Sequence, residues 1–250
     1  MRVGFFCGWL MLCSAAQASQ LDLQYLSDVQ TNSYLLCSSS MLYFNPSEKT
    51  PDPRALTSSF GSLTKLDTRV TQLGLPAELV SIERNIKAEF NKLDGTPRGK
   101  SQDYPGYILG LLQLHQKLDG WVEQQYQQAA QGGASVAAGL HEQSLAMAKL
   151  LLDYQLRQYP LPAGAPAAMS QVERDALDQA ITARFDALDK QYPEQAADLG
   201  HVRSSYRFVR PQLLGAGGAR SSGGADFYIV RNITDLNEMA LQVVRSAPAS

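Results

Sequence analysis

Apolar side chains recur every three or four residues along almost the whole chain, and this spacing constrains the fold more than any other sequence feature. The pattern is clearest in Leu199, Val202, Tyr206, Val209 and Leu213, whose steps place all five side chains on one helix face. No window of useful length alternates with a period of two, which is the spacing of a half-buried strand. The sequence therefore predicts an all-α protein without a significant β-sheet.

The same spacing predicts helical segments over most of the chain. They cover residues 20–44, 53–73, 76–94, 103–131, 135–159, 170–192, 193–214 and 226–246. Start signals agree with these bounds, because Ser170 and Glu173 have the spacing of a capping box and Pro193 suits a first helical position. Long helices joined by short loops bury their apolar faces against one another. We therefore expect an elongated antiparallel bundle of about six to seven helices, with 103–131 and 135–159 as its central hairpin.

The N-terminal residues have the pattern of a secretory signal peptide. Arg2 supplies the positive start, an apolar stretch follows from Val3 to Cys13, and Ala16-Gln17-Ala18 offers the small residues of a cleavage site. Cleavage after Ala18 leaves residues 19–250, which we expect to form a single helical domain in the periplasm or outside the cell. Retention of the segment as an anchor is the alternative, although the stretch is short for crossing about 30 Å of hydrocarbon.

Composition and charge narrow the classes of protein further. With 22 basic and 24 acidic residues, the chain has no cationic excess that would indicate a nucleic-acid partner. No later apolar run is long enough for a stable membrane span after signal cleavage. The Pro/Ala/Gly stretch at 160–168 is the one plausible seam between two domains, and the Gly/Ser-rich stretch at 215–225 is predicted to be a flexible loop.

Cysteine content indicates that the fold depends on its core. Cys7 and Cys13 leave with the signal peptide, so Cys37 remains alone and cannot form an internal disulfide. We interpret Cys37 as a buried small hydrophobe on the first helix. An intermolecular disulfide and a catalytic thiol are the alternatives.

The usual catalytic arrangements are missing from the sequence, which favours a protein that is not an enzyme. There is no Gly-x-Ser-x-Gly elbow and no phosphate-binding loop, and no pair of Glu-x-x-His motifs suggests a di-iron bundle. Acidic residues such as Asp175, Asp178, Asp186 and Asp189 are expected on solvated helix faces.

Two histidines coincide with apolar helix stripes and suggest a metal or haem ligand. His115 falls within the stripe of the fourth segment and His141 within that of the fifth. The predicted hairpin separates them by about 12 Å along the bundle, too far to share one metal ion. The simpler interpretation of each is a hydrogen-bonded histidine at the edge of the core.

Two sets of residues are candidates for ligand contact. Ser33, Cys37 and Ser40 are small side chains on the apolar seam of the first helix, where they permit close packing or line a pocket. Arg203, Arg207 and Arg210 follow one side of a later helix, where they form a solvated face or bind an anion or an acidic partner.

Together these features favour an exported, non-enzymatic helical bundle that binds a small ligand or an envelope protein partner, with no resident cofactor. The alternative is a metal- or haem-binding bundle that uses His115 or His141. In architecture alone, long antiparallel helices exported across a membrane resemble the ligand-binding bundles of bacterial chemoreceptors. The likeness carries no sequence motif, and function does not follow from fold.

Overall fold

The computed structural model describes residues 6–130, 135–215 and 224–247, and the side chains within these ranges except those of residues 6–19 and 130. These ranges contain eight α-helices and no strand, so the predicted all-α bundle is confirmed. The helices are α1 (Phe6–Tyr43), α2 (Pro53–Gln72), α3 (Ala77–Asp94), α4 (Tyr104–Ala130), α5 (Ala138–Leu156), α6 (Gln171–Gln191), α7 (Ala196–Leu214) and α8 (Ala225–Ser246). They correspond one to one to the eight segments predicted from the apolar spacing, although the bundle was expected to have about six to seven helices.

Local sequence signals account for several helix ends. The Asp52 carboxylate accepts a hydrogen bond from the Arg54 backbone N–H (2.9 Å), so Asp52 caps α2 ahead of Pro53. The capping box predicted at the start of α6 is present, since Ser170 and Glu173 each bond to the other's backbone N–H. These bonds satisfy amide groups that the first helical turn leaves without partners.

Helix α1 lies at the centre of the fold, and the predicted central hairpin is wrong. Helix α1 contacts α2, α4, α5 and α8, whereas α4 and α5 share almost no contacts within the described residues. They meet near their connection, where the rings of Tyr126 and His141 lie 5.0 Å apart. Periodicity shows which face of a helix is buried, but it does not show which helix covers that face.

One continuous hydrophobic core includes side chains from all eight α-helices. The helices fall into two groups around it. Helices α2 and α4 pack on α1, with α3 in contact with both of them, and helices α6, α7 and α8 pack around α5. Direct contacts of α1 with α5 and α8 join the two groups.

The predicted seam at 160–168 lies in the irregular connection between α5 and α6, and this connection is attached to the core. The buried Asp153 carboxylate accepts a hydrogen bond from the Met169 backbone N–H at 2.6 Å and pairs with Arg157 at 3.0 Å. Residues 1–5, in the predicted signal peptide, and 216–223, in the predicted flexible loop, lie outside the described residues. Over the described ranges, no helix combines the length and apolar character that a membrane span needs.

Candidate functional site

Helix α1 buries polar side chains on every side. Those with almost no solvent exposure are Gln24, Ser27, Asp28, Gln30, Thr31, Asn32, Ser33, Ser38, Ser39 and Ser40. Buried polar groups need hydrogen-bond partners, and these come both from α1 itself and from the helices around it. The sequence shows why this helix can be central, because no charged residue occurs between Asp28 and Glu48.

The predicted site residue Ser33 is bonded to His115 of α4. Its hydroxyl lies 2.8 Å from Nδ1 of His115 and donates to the backbone carbonyl of Gln30, also at 2.8 Å. A serine hydroxyl has only one proton, so it accepts from His115, which must carry its own proton on Nδ1. The His115 ring also makes an edge-to-face contact with Tyr34, with ring centroids 4.2 Å apart.

His141 of α5 makes the equivalent contact to a serine of α1 that lies nearer the N-terminus of that helix. Its Nδ1 is hydrogen-bonded to the hydroxyl of Ser27, six residues before Ser33 and therefore about 9 Å along the helix. Both histidines are buried and hydrogen-bonded, in agreement with the simpler interpretation of the sequence. Burial, reinforced by the nearby Lys149 ammonium group, lowers the pKa of each to about 4, although Asp119 partly opposes this for His115.

A hydrogen-bonded chain beside His141 connects three helices. Asn237 of α8 donates to the Thr31 hydroxyl at 2.8 Å and accepts from the Ser144 hydroxyl at 2.6 Å. Thr31 in turn donates to the backbone carbonyl of Ser27 at 3.1 Å. Each polar atom in the chain has a partner in the protein, so the chain fixes the register of α1 against α5 and α8.

The residue types of a nucleophilic triad are present in Ser33, His115 and Asp119, but their hydrogen bonds differ from those of a catalytic triad. The Asp119 carboxylate accepts from Gln30 at 2.9 Å and from the Tyr34 hydroxyl at 3.1 Å. The Ser33 proton points to a backbone carbonyl, whereas an activated serine gives its proton to histidine. The arrangement therefore supports packing between α1 and α4 rather than nucleophilic attack.

Cys37 and Ser40 are also buried, but they face different helices. The Cys37 sulfur lies 3.9 Å from the Leu111 carbonyl of α4, whereas the Ser40 hydroxyl contacts that of Ser59 on α2 at 3.4 Å. Together with Ser33 they permit close helix packing, which was one of the two interpretations of these residues. None of the three lines either of the two clefts described below.

The Cys37 thiol is expected to be unreactive in the native protein because it is buried. Burial raises its pKa to about 12, so almost no thiolate exists at pH 8. In the native protein, 5,5′-dithiobis-(2-nitrobenzoate) is expected to leave Cys37 unlabelled. Denaturation is expected to expose one thiol if the signal peptide is removed, or three if Cys7 and Cys13 remain. Rapid native labelling of protein without residues 1–18, absent in a Cys37→Ser variant, would contradict the prediction.

The three arginines predicted to form a row do not act together. Arg203 pairs with Asp189 at 2.6 Å and Asp186 at 3.2 Å on α6. The Arg210 guanidinium group donates two hydrogen bonds to the Asp178 carboxylate, at 2.6 and 2.5 Å. Arg207 is exposed and makes no ion pair within the described chain.

Asp178 was predicted to lie on a solvated face, and this is wrong. Its carboxylate is 2% exposed and also accepts from the Tyr206 hydroxyl at 2.7 Å. Burial alone would raise its pKa, but the bonds from Arg210 and Tyr206 outweigh burial and lower it. Arg210 therefore serves to hold α7 on α6.

The candidate ligand site is an open cleft of about 410 Å³ where the two helix groups meet. It lies between the second half of α1, the start of α2, the end of α5 and the start of α8. Its polar lining comprises Ser38, Ser39, Glu48, Thr50, Asp52, Arg54, Ser58, Tyr154, Gln155, Gln158 and Asp226. Its apolar lining comprises Leu42, Ala55, Leu151, Phe227 and Val230, with Gly224 at the edge. Clefts that combine an apolar wall with a few fixed polar groups are typical of small-molecule sites.

Hydrogen bonds within the lining fix several of its side chains. Ser39 donates to the Ser58 hydroxyl at 3.0 Å, and Gln155 donates to the Asp226 carboxylate. At the rim, Arg54 pairs with Asp52 at 2.5 Å and lies over the Phe227 ring, 5.3 Å from its centroid. The described residues that line the cleft include three carboxylates and one guanidinium group.

The site residues predicted on α1 lie on a helix that lines the cleft, but on other faces of it. Ser38 and Ser39 line the cleft, whereas the candidates Ser33, Cys37 and Ser40 face neighbouring helices. The absence of charge between Asp28 and Glu48 was the available signal, because a helix without charge on any face is covered all round. The part of the cleft formed by α5 and α8 had no signal in the sequence.

The described residues contain no group of three or more His, Cys, Asp or Glu side chains placed to hold a metal ion. Nor do comparisons with known proteins indicate a function. No protein-family model matches the chain, and no curated protein or solved structure gives a significant match.

Proposed function

We propose that this protein is an exported, non-enzymatic helical bundle that binds a small organic ligand in the cleft between α1, α2, α5 and α8. The observation that carries the proposal is the cleft itself, which is built from both helix groups and lined by fixed polar and apolar side chains. The N-terminal sequence supports export to the periplasm or beyond.

The lining suggests the general chemistry of the ligand. A volume of about 410 Å³ suits a small organic molecule rather than a peptide or a large cofactor. The wall of Leu42, Leu151 and Val230 suits an apolar portion. The hydroxyl, amide and carboxylate groups of the same lining suit a portion rich in hydrogen-bond donors.

The bonding of the buried histidines supports a non-catalytic role. His115 and His141 each direct Nδ1 at a serine of α1, and both rings are buried. Neither histidine is among the residues that line the cleft.

Ligand binding can be tested by thermal-shift screening of the purified protein against amines, amino acids, organic acids, sugars and nucleotides. At least one compound class is expected to raise the melting temperature, since a ligand at 100 times its Kd stabilises a protein by about 2.7 kcal/mol. The Ser58→Phe variant places a ring inside the cleft and is expected to weaken binding of that compound by at least about tenfold, equal to 1.4 kcal/mol.

A matched variant controls for added apolar surface on α2. Thr64→Phe makes a similar change at an exposed position outside the cleft and is expected to bind like the wild type. Circular dichroism verifies that both variants fold. The proposal fails if no compound shifts the melting temperature, or if Ser58→Phe and the wild type bind the compound equally well.

A further inference from the structure

A second surface, distinct from the interior of the cleft, lies between α7 and α8. It begins at three exposed aromatic side chains: Phe208 is 69% exposed, Phe227 47% and Tyr228 38%. The Tyr228 ring contacts both others, with centroid distances of 5.4 Å to Phe208 and 6.0 Å to Phe227. A contiguous group of exposed rings is uncommon on a monomer and typically marks an interaction site.

A groove of about 520 Å³ continues from these rings along α7 and α8. Its lining is Asp198, His201, Val202, Ser205, Phe227, Tyr228, Arg231, Asn232, Asp235, Glu238, Met239 and Gln242. Three of these are carboxylates, whereas Arg231 is the single basic side chain besides His201 and lies 3.6 Å from Asp235. Asp198 and Glu238 are exposed and have no ion pair within the described chain. The groove is therefore acidic, with an aromatic end.

We infer that the α7–α8 groove is the docking surface for an arginine-bearing segment of a partner protein. Guanidinium groups pair with carboxylates such as Asp198 and Glu238, and they also stack on aromatic rings. The chain itself uses the second contact, since Arg54 lies over Phe227 and Arg203 over Phe185, each 5.3 Å from the centroid. An arginine side chain can thus contact both the carboxylates and the aromatic rings of the groove.

Charge disfavours the other possible occupants. In a two-fold symmetric dimer, a second copy of this chain would bring the same acidic groove against Asp198 and Glu238, and like charges at an interface are repulsive. A membrane surface would bring anionic head groups beside the same carboxylates. A cationic protein segment is attracted by both the carboxylates and the rings.

The length of the groove defines a suitable probe. From Phe227 to Gln242 it follows α8 for about 22 Å, which equals the length of a helix of about 15 residues. The probe is a fluorescein-labelled 15-residue peptide of Ala and Leu with four Arg residues along one edge. A reference peptide has Gln in place of each Arg. Fluorescence anisotropy of the full protein gives the Kd of each peptide.

The Arg peptide is expected to bind the wild-type protein more tightly than the Gln peptide, and increasingly so as salt is lowered. The D198N/E238Q variant is expected to weaken binding about fivefold, because exposed ion pairs contribute only modestly to affinity. The F208A/Y228A variant is expected to weaken it about tenfold through loss of stacking and apolar contact.

A variant with the same change in net charge separates docking from general electrostatic attraction. Asp94 and Asp103 are exposed acids on the α3–α4 side, and D94N/D103N is expected to bind as tightly as the wild type. Equal weakening in D94N/D103N and D198N/E238Q would overturn the inference. So would vesicle binding or self-association that F208A/Y228A abolishes, since these outcomes assign the rings to a membrane or to a second copy.

Discussion

Between pH 7.5 and pH 5, the two buried histidines are expected to remove about 4 kcal/mol from the free energy of unfolding. His115 and His141 have a pKa of about 4 in the folded protein, against 6.5 for an unperturbed histidine. At pH 5 the unfolded chain binds a proton at each position, whereas the folded chain binds almost none. The difference in proton binding destabilises the folded state by about 2 kcal/mol per histidine.

Acid lowers the free energy of unfolding because folding lowers the pKa of each histidine. The stabilising contribution of each histidine is complete above pH 6.5, decreases as the pH falls, and stops changing below about pH 4. The buried carboxyl of Asp28 acts in the opposite direction. Burial raises its pKa more than Arg69 and Gln24 lower it, so its protonation favours folding as the pH falls. The histidine contribution therefore has to be measured against variants that retain Asp28.

Urea unfolding followed by circular dichroism at pH 7.5, 6.5, 5.5 and 5 measures the effect. Asparagine places an amide group near the position of Nδ1, so His115→Asn and His141→Asn keep a hydrogen-bonding partner for the serine. Each variant is expected to be less stable at pH 7.5 but to lose about 2 kcal/mol less than the wild type on acidification to pH 5. His201→Asn, at an exposed position, is the matched control. Identical pH dependence in all four proteins would contradict the assignment.

Neutralising Asp153 is expected to cost about 3 kcal/mol of unfolding free energy. This carboxylate is buried beside two guanidinium groups, Arg157 at 3.0 Å and Arg174 at 3.6 Å, and it also accepts from the Met169 backbone N–H. Removing one member of a buried ion pair leaves the other charge without compensation, which is more costly than removing both. Asp153→Asn retains a similar shape, so the loss reports on charge rather than volume.

A double-mutant cycle at pH 7.5 tests this explanation. The Arg174→Met change removes a buried cation, and D153N/R174M is expected to be more stable than the sum of the two single changes implies. Asp175→Asn changes an exposed acid next to Arg174 on α6 and is expected to alter stability by no more than about 0.5 kcal/mol. If D153N behaves like Asp175→Asn in urea unfolding, the ion pairs do not hold the α5–α6 connection in place.

Helix boundaries could be predicted from sequence because their causes are local. The Ser170 capping box and the apolar face from Leu199 to Leu213 each act within a few residues, and both appear in the structure as expected. Pro193 differs slightly, because it begins a short 3-10 turn and α7 itself begins at Ala196. The pairing of helices depends on distant contacts, which explains why α4 and α5 were wrongly predicted to form the central hairpin. The burial of Asp178 was missed for the same reason, since its partner Arg210 lies 32 positions away.

The candidate site was only partly accessible from sequence. Apolar spacing placed His115, His141 and Ser33 in or beside the core, where the structure has them. It could not distinguish the side of α1 that packs on α4 from the side that opens into a cleft. That distinction arises where α5 and α8 meet α1, more than 100 positions further along the chain.

The position of α1 also determines the order in which the molecule can assemble. Thr31 of α1 is hydrogen-bonded to Asn237 of α8, 206 positions later in the chain. The last side of α1 is therefore covered only after α8 has packed against it. Such distant contacts make folding slow, and they postpone completion of the core until most of the chain has been synthesised. In the interval, the serine, threonine and amide groups of α1 can bind water. The same side chains that fix the finished fold thus keep its earliest helix compatible with an aqueous surrounding during biogenesis.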